Sequence, residues 1–529
     1  MKTKFYITTP IYYPSGEAHI GHAYCTTICD ILARNKRLRG FGTRFLTGTD
    51  EHGQKIKEHA LKANKDPQSY VDEIVAKFQK LWKLMEISND DFIRTTEIRH
   101  IKVVQDLFSQ MLKNEDIYLG TYKGWYCTEC EAFWTDIQAG SDHLCPDCHR
   151  PVHEASEESY FFKCSKYVDQ LLKEYEKNPK LCFPASRMHE MINTFIKPGL
   201  QDLSVSRTSN DWGIQVLENK KHTVYVWLDA LANYISALGY KSDNDELYQK
   251  YWADENTEII HIIGADISRF HCIYWPMFLM SCKLRLPDRV FVHGLLKMKD
   301  EKMSKSKGNV VSPYPLVDKY GVDAVRYYLA REVTFGRDGE FTPEQFVERV
   351  NVDLANQLGN LVNRTIGMIN KYFNGVIPEY QEGVTPFDKN LEKIEGIKLQ
   401  YEKYFDELQI TEGITEVMNL VSDANKYIDD TKPWVLAKEN KTKELESVMA
   451  HLANVIYVSS IMLSPVLVNK STAILDQLNV PSELRKYENI LKTNLLKGIK
   501  VVEKGAPIFP RLDVKLETEY IKGLMQGNK

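Results

Sequence analysis

The chain has 529 residues, of which 43% are hydrophobic and 26% charged, and its formal net charge is -4 at pH 7. This length predicts three or four domains, and a composition near the globular average excludes a disordered chain or an extended coiled coil. The acidic balance excludes a uniformly basic protein, so any contact with RNA must come from local patches. The sequence has neither a signal peptide nor a run of roughly 18 apolar residues, which predicts a cytoplasmic protein without membrane contact.

The first half of the sequence alternates short β-rich runs with helical patterns, as a parallel sheet covered by helices does. The predicted strands lie near Phe5–Thr9, Arg44–Thr47, Glu258–Ile263 and Arg289–His293. Apolar or small residues recur at intervals of three and four from Ile20 to Leu32, so a helix directly follows the first strand. These elements predict an α/β nucleotide-binding domain.

The sequence changes character twice after this opening. From about Asp116 to His222 it is rich in cysteine pairs, aromatic residues and turn residues, which indicates a small domain inserted between two halves of the sheet. After about Phe341 helical periodicity dominates, through residues 353–373, Glu416–Tyr427 and Glu446–Leu463, and this predicts a helical bundle. The predicted domains are a first sheet half at 1–115, an insertion at 116–222, a second sheet half at 223–293, a loop and linker region at 294–345, and a helical domain at 346–529.

A histidine pair lies where the first strand meets the first helix. His19 and His22 are one turn apart at the amino terminus of that helix, where backbone N–H groups and the helix dipole attract phosphate. The imidazoles add hydrogen-bond donors, and Gly21 lets a flat group lie against the backbone. In the alternative interpretation, the histidines only cap the helix start.

A second candidate phosphate-binding segment follows a predicted strand far downstream. It contains Lys302, Ser304, Lys305 and Ser306, with Gly308 as a candidate hinge for a loop that closes. Two ammonium groups and two hydroxyls can fold over a triphosphate and neutralise the charge on a departing pyrophosphate. A solvated lysine-rich turn is the alternative.

Four cysteines have the spacing of a metal site. Cys127, Cys130, Cys145 and Cys148 form two C-x2-C pairs separated by fourteen residues, which suits a tetrahedral four-thiolate Zn²⁺ site. Four protein ligands leave no open position, so this zinc would be structural. Two disulfides, or a histidine in place of one cysteine, are the alternatives, and the candidate histidines are His143, His149 and His153. The other cysteines are predicted to lie in the core: Cys25, Cys29, Cys164, Cys182, Cys272 and Cys282.

The histidine and lysine motifs together resemble the two signatures of class I aminoacyl-tRNA synthetases, His19-Ile-Gly-His22 and Lys302-Met-Ser-Lys-Ser306. Four segments resemble the methionyl-tRNA synthetases of that class across nearly the whole chain, and these are residues 13–22, 48–53, 225–230 and 429–434. Relatives for isoleucine, valine and leucine carry a large editing insertion, for which the insertion here is too short. The resemblance implies a Rossmann-type catalytic sheet, a zinc-knuckle insertion and a helical anticodon-binding domain.

The same resemblance implies an activity and its partners. A family member activates L-methionine with ATP and Mg²⁺, releases pyrophosphate, and transfers the methionyl group to the 3′ end of methionine tRNA. It implies that phosphate chemistry falls to His19, His22, Lys302 and Lys305. It implies ATP contacts at Gly21, Gly264, Asp266, Ser304 and Ser306. It implies methionine contacts at Ile11, Tyr13, Asp50, Trp227, Ala230, Tyr234, Ile267 and His271. Core packing is the alternative for each aromatic residue taken singly.

Two further positions lie near the expected active site, Ala265 and Arg207. Many family members have lysine where this chain has Ala265. We therefore do not expect this chain to make the charged contact with the nucleotide that the resemblance implies for the lysine. Arg207 also matches a family position near the active site, and a surface salt bridge is its alternative.

The helical domain carries the residues that the family uses to contact the anticodon. Asn360 and Arg364 share one helix face, and Trp434 follows Pro433 at a predicted helix start. Unpaired anticodon bases are bound by stacking and by hydrogen bonds to their edges, although a tryptophan in a helical bundle is more often a core residue. We expect a monomer. The rival functions are a class I synthetase for another small apolar amino acid and a non-catalytic tRNA-binding protein.

Overall fold

The computed structural model describes residues 2–16, 18–128, 132–134, 136–298, 301–302, 311–333, 335–385 and 390–526. Within these ranges the strands are, in chain order, β1 Lys4–Thr8, β2 Gly42–Thr49, β3 Asp91–Arg94, β4 Ile117–Cys127, β5 Ala132–Trp134, β6 His153–Phe162, β7 Cys182–Phe183, β8 Leu203–Ser204, β9 Ser206–Arg207, β10 Thr223–Val224, β11 Thr257–Gly264, β12 Arg289–His293, β13 Leu296–Met298, β14 Glu301–Lys302 and β15 Gly339–Glu340.

The α-helices of the same ranges are α1 Ile20–Leu38, α2 Gln54–Lys62, α3 Pro67–Leu84, α4 Ile98–Lys113, α5 Asp136–Ala139, α6 Val168–Lys177, α7 Ala185–Glu190, α8 Val226–Ser236, α9 Glu246–Tyr248, α10 Trp275–Ser281, α11 Pro313–Tyr320, α12 Val322–Arg331, α13 Pro343–Arg349, α14 Asn360–Phe373, α15 Asn390–Asp406, α16 Ile410–Thr431, α17 Pro433–Lys438, α18 Thr442–Leu463, α19 Val468–Gln477 and α20 Val514–Gln526. A π-helical segment, Val350–Gly359, joins α13 to α14.

The main sheet has the strand order β3-β2-β1-β11-β12-β7, and every neighbouring pair in it is parallel. Successive residues of β1 from Phe5 to Thr8 are buried, as in a sheet covered on both faces. The strand order reverses between β1 and β11, and open parallel sheets bind ligands beyond the carboxyl ends of their strands at such a point. The carboxyl ends of β1 and β11 therefore mark the place to look for a site.

A second sheet, with the order β5-β4-β6-β8, forms the core of the inserted segment. Its neighbouring strands are antiparallel, and β4 pairs with β6 along ten residue pairs from Ile117↔Phe162 to Tyr126↔His153. The inserted segment thus has a sheet of its own, and the predicted bounds of the inserted domain stay a prediction.

The helical bundle is built around α14, α16 and α18, with α18 buried along nearly its whole length. In the described part of the chain, α18 is the one helix long and apolar enough to cross a membrane. In its most apolar stretch 83% of the residues are buried inside the structure, as in the core helix of a bundle, so it is weak evidence for a membrane span.

The contacts divide the chain into two compact units. One comprises Met1–Ala18, Phe41–Lys83 and Ser88–Gly294, and the other comprises His19–Gly40, Leu84–Ile87 and Leu295–Lys529. The first contains the main sheet and the inserted sheet, and the second contains α1 and the helical bundle. The four predicted strands, the helix after the first strand and the helical carboxyl-terminal third are confirmed, whereas the predicted domain boundaries stay predictions.

Candidate active site, metal centre and anticodon-binding face

The carboxyl end of β2 holds a neighbouring extended segment by backbone hydrogen bonds. The Tyr12 N–H donates to the Gly48 carbonyl at 2.9 Å, and the Asp50 N–H donates to the Tyr12 carbonyl at 3.0 Å. Ile11 and Tyr13 flank Tyr12 in sequence, so three of the predicted methionine contacts come from two adjoining segments at this edge of the sheet. The Asp50 residue is largely buried.

The residue after Asp50 fixes this strand end. Glu51 is fully buried and accepts from Nε and Nη2 of Arg94 at 2.7 and 2.8 Å. It also accepts from the hydroxyls of Thr49 at 2.6 Å and Thr96 at 2.8 Å. A buried carboxylate with a bidentate arginine and two hydroxyl donors has its acceptor sites satisfied, so the backbone next to Asp50 is held rigidly.

The buried carboxylate of Asp229 on α8 connects this helix to His52, which follows Glu51 in the loop after β2. Asp229 lies 2.7 Å from Nδ1 of His52 and 2.7 Å from Nε2 of His100, whose Nδ1 lies 2.7 Å from the Ser236 hydroxyl. Burial opposes ionisation of Asp229, but the two imidazoles outweigh it and hold its pKa below the usual value. The sequence analysis did not single out this network, although His52 and Asp229 both lie in segments that carry the family resemblance.

The predicted wall of the amino-acid pocket comes from one face of α8 and from the segment after β11. Trp227, Ala230 and Tyr234 are spaced by three and four residues, which places them on one helix face. The Tyr234 hydroxyl lies 2.7 Å from Nε2 of His271, and Nδ1 of His271 lies 3.0 Å from the Ile267 carbonyl. A carbonyl can only accept, so Nδ1 carries the proton and Nε2 accepts from Tyr234.

His271 is uncharged at neutral pH. Burial lowers its pKa to about 4, against smaller opposite effects from the Ile267 carbonyl and Asp266. Both of its ring nitrogens are engaged, so the ring orients the Tyr234 hydroxyl. The pocket wall is therefore neutral at this point, as an uncharged ligand side chain requires.

Aromatic stacking stiffens the same wall. The Trp227 ring lies parallel to that of Phe270, with centroids 3.8 Å apart and an interplanar angle of 5°. The Tyr234 ring stacks on His261 at 4.0 Å, and Nδ1 of His261 lies 2.8 Å from the Thr8 hydroxyl at the end of β1. These rings pack against their neighbours as core residues do, and this packing is compatible with the predicted contacts of Trp227 and Tyr234 to methionine.

The end of β11 carries a close contact between backbone and carboxylate. Gly264 ends the strand, and Ala265 to Ile267 form one 3₁₀ turn after it. A Cβ atom added at Gly264 would lie 2.7 Å from Oδ1 of Asp266. The lack of a side chain at Gly264 is what allows the Asp266 carboxylate to lie there, at the strand end where α/β sheets bind nucleotides.

The histidines of the first motif cap α1. Nδ1 of His19 accepts from the Gly21 N–H at 3.1 Å, and Nδ1 of His22 accepts from the His19 N–H at 3.1 Å. Because both Nδ1 atoms accept, the neutral rings carry their protons on Nε2. The rings lie 3.8 Å apart, and a Cβ at Gly21 would lie 3.0 Å from the His19 ring. Both histidines therefore cap the helix start through Nδ1, and the phosphate role of their rings stays a prediction.

The lysine motif is described only at its start. Lys302 ends β14, paired with Lys297 of β13. The predicted contacts Ser304, Lys305 and Ser306, with the hinge Gly308, lie outside the described residues.

Three cysteine thiols converge in the inserted segment. The Sγ atoms of Cys127, Cys145 and Cys148 all lie within 4.8 Å of one another, and those of Cys127 and Cys148 are 3.6 Å apart. Thiolates on one tetrahedral zinc are about 3.8 Å apart, because each Zn–S bond is about 2.3 Å. Within the described part of the chain none of the three forms a disulfide, and no histidine joins the cluster. Cys130 lies outside the described residues, and the donor set fits zinc.

The predicted anticodon residues lie on the helical bundle. Nη2 of Arg364 lies 2.9 Å from Oδ1 of Asp429, and Nδ2 of Asn360 lies 3.4 Å from Oδ1 of Asn425, so α14 pairs with α16 through residues four apart on each helix. Trp434 is the second residue of α17 and is 46% exposed, so it is not a core residue. Its ring is accessible to an unpaired base.

Arg207 is not a surface residue. It is 7% exposed, and its Nη1 donates to the Ser204 hydroxyl at 2.6 Å and to the Ser206 carbonyl at 2.7 Å. The surface alternative for this residue is therefore wrong.

Comparison with known proteins decides the family. The model for class I tRNA synthetases (M) matches residues 5–156 and 150–366, and the model for the anticodon-binding domain of methionyl tRNA ligase matches residues 380–509. A methionine–tRNA ligase of Bacillus subtilis is 54% identical over 99% of this chain and 80% of its own length, and one of Listeria innocua is 52% identical over 100% and 81%. The chain belongs to the methionine–tRNA ligase family.

Solved structures of the family have the same fold. Mycobacterium tuberculosis methionyl-tRNA synthetase bound by methionyl-adenylate has a TM-score of 0.90 and 38% identity, covering 96% of this chain and 100% of that one. Its apo form has a TM-score of 0.84 and 35% identity, covering 97% and 99%. The predicted class I fold, the helical anticodon domain and the ligase function of this methionine–tRNA ligase family member are confirmed.

Proposed function

We propose that this chain activates L-methionine with ATP and transfers the methionyl group to the 3′ end of methionine tRNA through the residues described above. The observation that carries the proposal is the neutral, stacked wall of Trp227, Tyr234 and His271 at the carboxyl edge of the main sheet, in a chain that matches methionine–tRNA ligases over nearly all of its length. An uncharged, aromatic wall suits a thioether side chain.

The wall distinguishes methionine by shape and polarisability. A thioether is a weak acceptor, so the Trp227 and Tyr234 rings provide most of the contact to its sulfur. The hydrogen bond between Tyr234 and His271 holds the phenol in one orientation. The Asp50 carboxylate binds the α-ammonium group of the substrate, because Glu51 and Arg94 hold the backbone beside it in place.

The first reaction is attack of the methionine carboxylate oxygen on the α-phosphorus of ATP. The new oxygen–phosphorus bond forms as the bond to pyrophosphate breaks, so no side-chain nucleophile is needed. The Nε2–H groups of His19 and His22 stabilise charge on the phosphoryl oxygens, and Lys302 and Lys305 neutralise the departing pyrophosphate. Gly21, Gly264 and Asp266 position the nucleotide, with Ser304 and Ser306 as further ATP contacts.

In the second reaction a terminal ribose hydroxyl of the tRNA attacks the methionyl carbonyl carbon, and AMP leaves. Asn360, Arg364 and Trp434 contact the anticodon, where the exposed Trp434 ring stacks on a base. Magnesium accompanies ATP and neutralises phosphate charge. Zinc at Cys127, Cys130, Cys145 and Cys148 has a structural role. A monomer in the cytoplasm completes the proposal.

Amino-acid-dependent ATP–pyrophosphate exchange tests the activation step, run with methionine, isoleucine, leucine, valine and cysteine. We expect exchange with methionine alone. Exchange with another amino acid would keep the class and reject the pocket assignment, and no exchange with any of them would favour a non-catalytic tRNA-binding protein.

Two histidine variants, one in the proposed site and one control, test the phosphate chemistry. His19→Ala should lower the exchange rate by roughly 10² to 10³, as loss of a charge-stabilising donor does. The matched control is His189→Ala on the exposed end of α7, which should leave exchange unchanged. Equal rates in the two variants would reject the catalytic assignment of His19.

A further inference from the structure

Helix α8 has two faces with different partners. Its first face carries Trp227, Ala230 and Tyr234, the residues predicted to contact methionine. Successive residues of an α-helix are rotated by about 100°, so Asp229 and Ser236, seven residues apart, share a second face that points away from the first. Both residues of the second face are buried. The helix that forms part of the pocket wall is therefore also anchored from behind by polar groups.

The anchor is a carboxylate between two imidazoles. Oδ2 of Asp229 accepts from Nδ1 of His52 at 2.7 Å, and Oδ1 accepts from Nε2 of His100 at 2.7 Å. A carboxylate can only accept, so both imidazoles donate to it. His100 lies on α4, and its Nδ1 lies 2.7 Å from the Ser236 hydroxyl. The second face of α8 is thus bound to α4 and to the loop after β2.

The loop after β2 carries Asp50, and His52 is its connection to α8. His52 follows Asp50 by two residues, with Glu51 between them. The Glu51 N–H donates to the Thr95 hydroxyl at 2.9 Å, and the Glu51 carbonyl accepts from the Trp212 indole N–H at 2.7 Å. Because the backbone between Asp50 and His52 is held on both sides, a shift of the His52 ring is transmitted to Asp50.

We propose that His52 and Asp229 are positioning residues that set the separation between the Asp50 carboxylate and the aromatic wall on α8. The inference rests on the proposed function, in which Asp50 binds the α-ammonium group of methionine and the wall contacts its thioether. The two ends of methionine are joined by a short chain, so both contacts form together only when loop and helix are the right distance apart. The charge-assisted hydrogen bond between His52 and Asp229 fixes that distance.

Two variants of His52 separate the hydrogen bond from the bulk of the ring. His52→Leu fills much of the ring's volume but has no donor. His52→Asn loses the ring but places an amide N–H where Nδ1 now lies, because each nitrogen is bonded to Cγ. We expect His52→Leu to raise the KM for methionine in pyrophosphate exchange by roughly 10- to 100-fold, as small misplacements of positioning groups do, with the KM for ATP unchanged. His52→Asn should recover most of this loss.

Amino acids of different length measure the separation directly. S-methyl-L-cysteine is one methylene shorter than methionine, and L-ethionine is one methylene longer. One methylene changes kcat/KM by roughly 10- to 200-fold in a fitted apolar pocket, so the wild type should use methionine best. In His52→Leu the advantage of methionine over both analogues should shrink severalfold. A variant that is only less folded lowers kcat for all three amino acids and keeps the ratios between them.

Asp229→Asn tests the other end of the same hydrogen bond. It keeps the size of the side chain but removes its charge and one acceptor, so it should also raise the KM for methionine. The double variant with His52→Leu should lose no more than the more impaired single variant, because residues that act as a unit are not additive. If Asp229→Asn does not fold, the two His52 variants decide, since they keep the bond between Asp229 and His100.

The matched control is His189→Leu on the exposed end of α7, which should change neither KM. An unchanged KM for methionine in His52→Leu overturns the proposal. It is also overturned if His52→Asn is as impaired as His52→Leu, or if the ratios among the three amino acids stay those of the wild type. Absence of methionine-dependent exchange in the wild type would instead reject the proposed function, so the two failures are distinguishable.

Discussion

The Asp266 carboxylate lies close to the backbone of Gly264. A single methyl group added at Gly264 therefore tests the nucleotide contact proposed for Asp266. Gly264→Ala places a Cβ where Oδ1 of Asp266 now lies, only 2.7 Å away, and must displace the carboxylate. We expect the KM for ATP in pyrophosphate exchange to rise at least tenfold, with a smaller change in the KM for methionine, because small displacements of positioning groups are costly. Gly367→Ala on α14 is the matched control, since a Cβ there meets nothing within 4 Å. An unchanged KM for ATP would contradict the assignment of Asp266.

A second residue-scale prediction concerns acid stability in the helical bundle. Burial lowers the pKa of His451 to about 4, with a smaller effect of Lys393, and its Nδ1 has no hydrogen-bond partner among the described residues. An unfolded histidine titrates near pH 6.5, so between pH 6.5 and 4 the unfolded state binds more protons and stability falls as the pH falls.

The variant His451→Phe keeps a ring against Tyr427, whose centroid is 4.7 Å from that of His451, and removes this titration. We expect the wild type to lose about 2 kcal/mol more stability than the variant between pH 7 and pH 4.5. Urea denaturation at the two pH values, followed by a probe in the bundle, measures the difference. Parallel losses in the two proteins would show that folding does not lower the pKa of His451.

At the scale of secondary-structure elements, the sequence pattern predicted what is long and regular. The buried strands β1, β2, β11 and β12 were recognisable as short β-rich runs, and the helices α16 and α18 were recognisable from the period of their apolar residues. The edge strands β3 and β7 were not, because four and two residues carry too little periodicity. Element ends were also displaced, as at α1, which continues six residues past Leu32 to Leu38.

The candidate site was predictable to a different extent. Residues in contiguous motifs, such as His19 and Asp50, could be named from the sequence. The residues that hold the site in place from elsewhere in the chain could not be named. Arg94 reaches Glu51 only through the parallel strand pairing, and His100 reaches Asp229 only through the packing of α4 on α8. Long-range contacts of this kind leave no periodic trace in one sequence.

The cluster of Cys127, Cys145 and Cys148 begins at the end of β4, and removing one of its thiols tests whether it binds zinc. Cys145→Ser removes one thiolate of the cluster, so bound zinc, measured by elemental analysis, should fall from about one per chain to a small fraction of that. Amide exchange near Cys127 and Cys148 should rise, because the apolar cluster around the knuckle is small. Cys164→Ser is the matched control, a buried cysteine of the same unit outside the cluster, and should keep its zinc. Unchanged zinc in Cys145→Ser would exclude this residue as a ligand.

At the scale of the whole molecule, one arginine contacts all three of the chain segments that make up the second unit. Arg326 on α12 is fully buried, and it donates to Asp30 of α1 at 2.7 Å and to the Met85 carbonyl at 3.0 Å. It also donates to the carbonyls of Pro465 at 2.8 Å and Val466 at 3.1 Å. The guanidinium thereby joins residues 19–40, 84–87 and the carboxyl-terminal bundle, which are far apart in sequence.

Replacing this arginine should loosen the second unit while leaving the first intact. Arg326→Met removes every one of these hydrogen bonds and leaves the Asp30 carboxylate without its buried partner, a change that costs about 3 to 5 kcal/mol in comparable sites. Arg34→Met is the matched control, because Arg34 bonds the same carboxylate at 2.7 Å from a position that is 24% exposed. A multidomain chain need not unfold in one step, so we would measure amide exchange element by element. Faster exchange in α1 and α12 with unchanged exchange in β1 and β11, and a much smaller effect of Arg34→Met, is the expected result. Equal protection of α1 in the two variants would mean that apolar packing, and not Arg326, holds the three segments together.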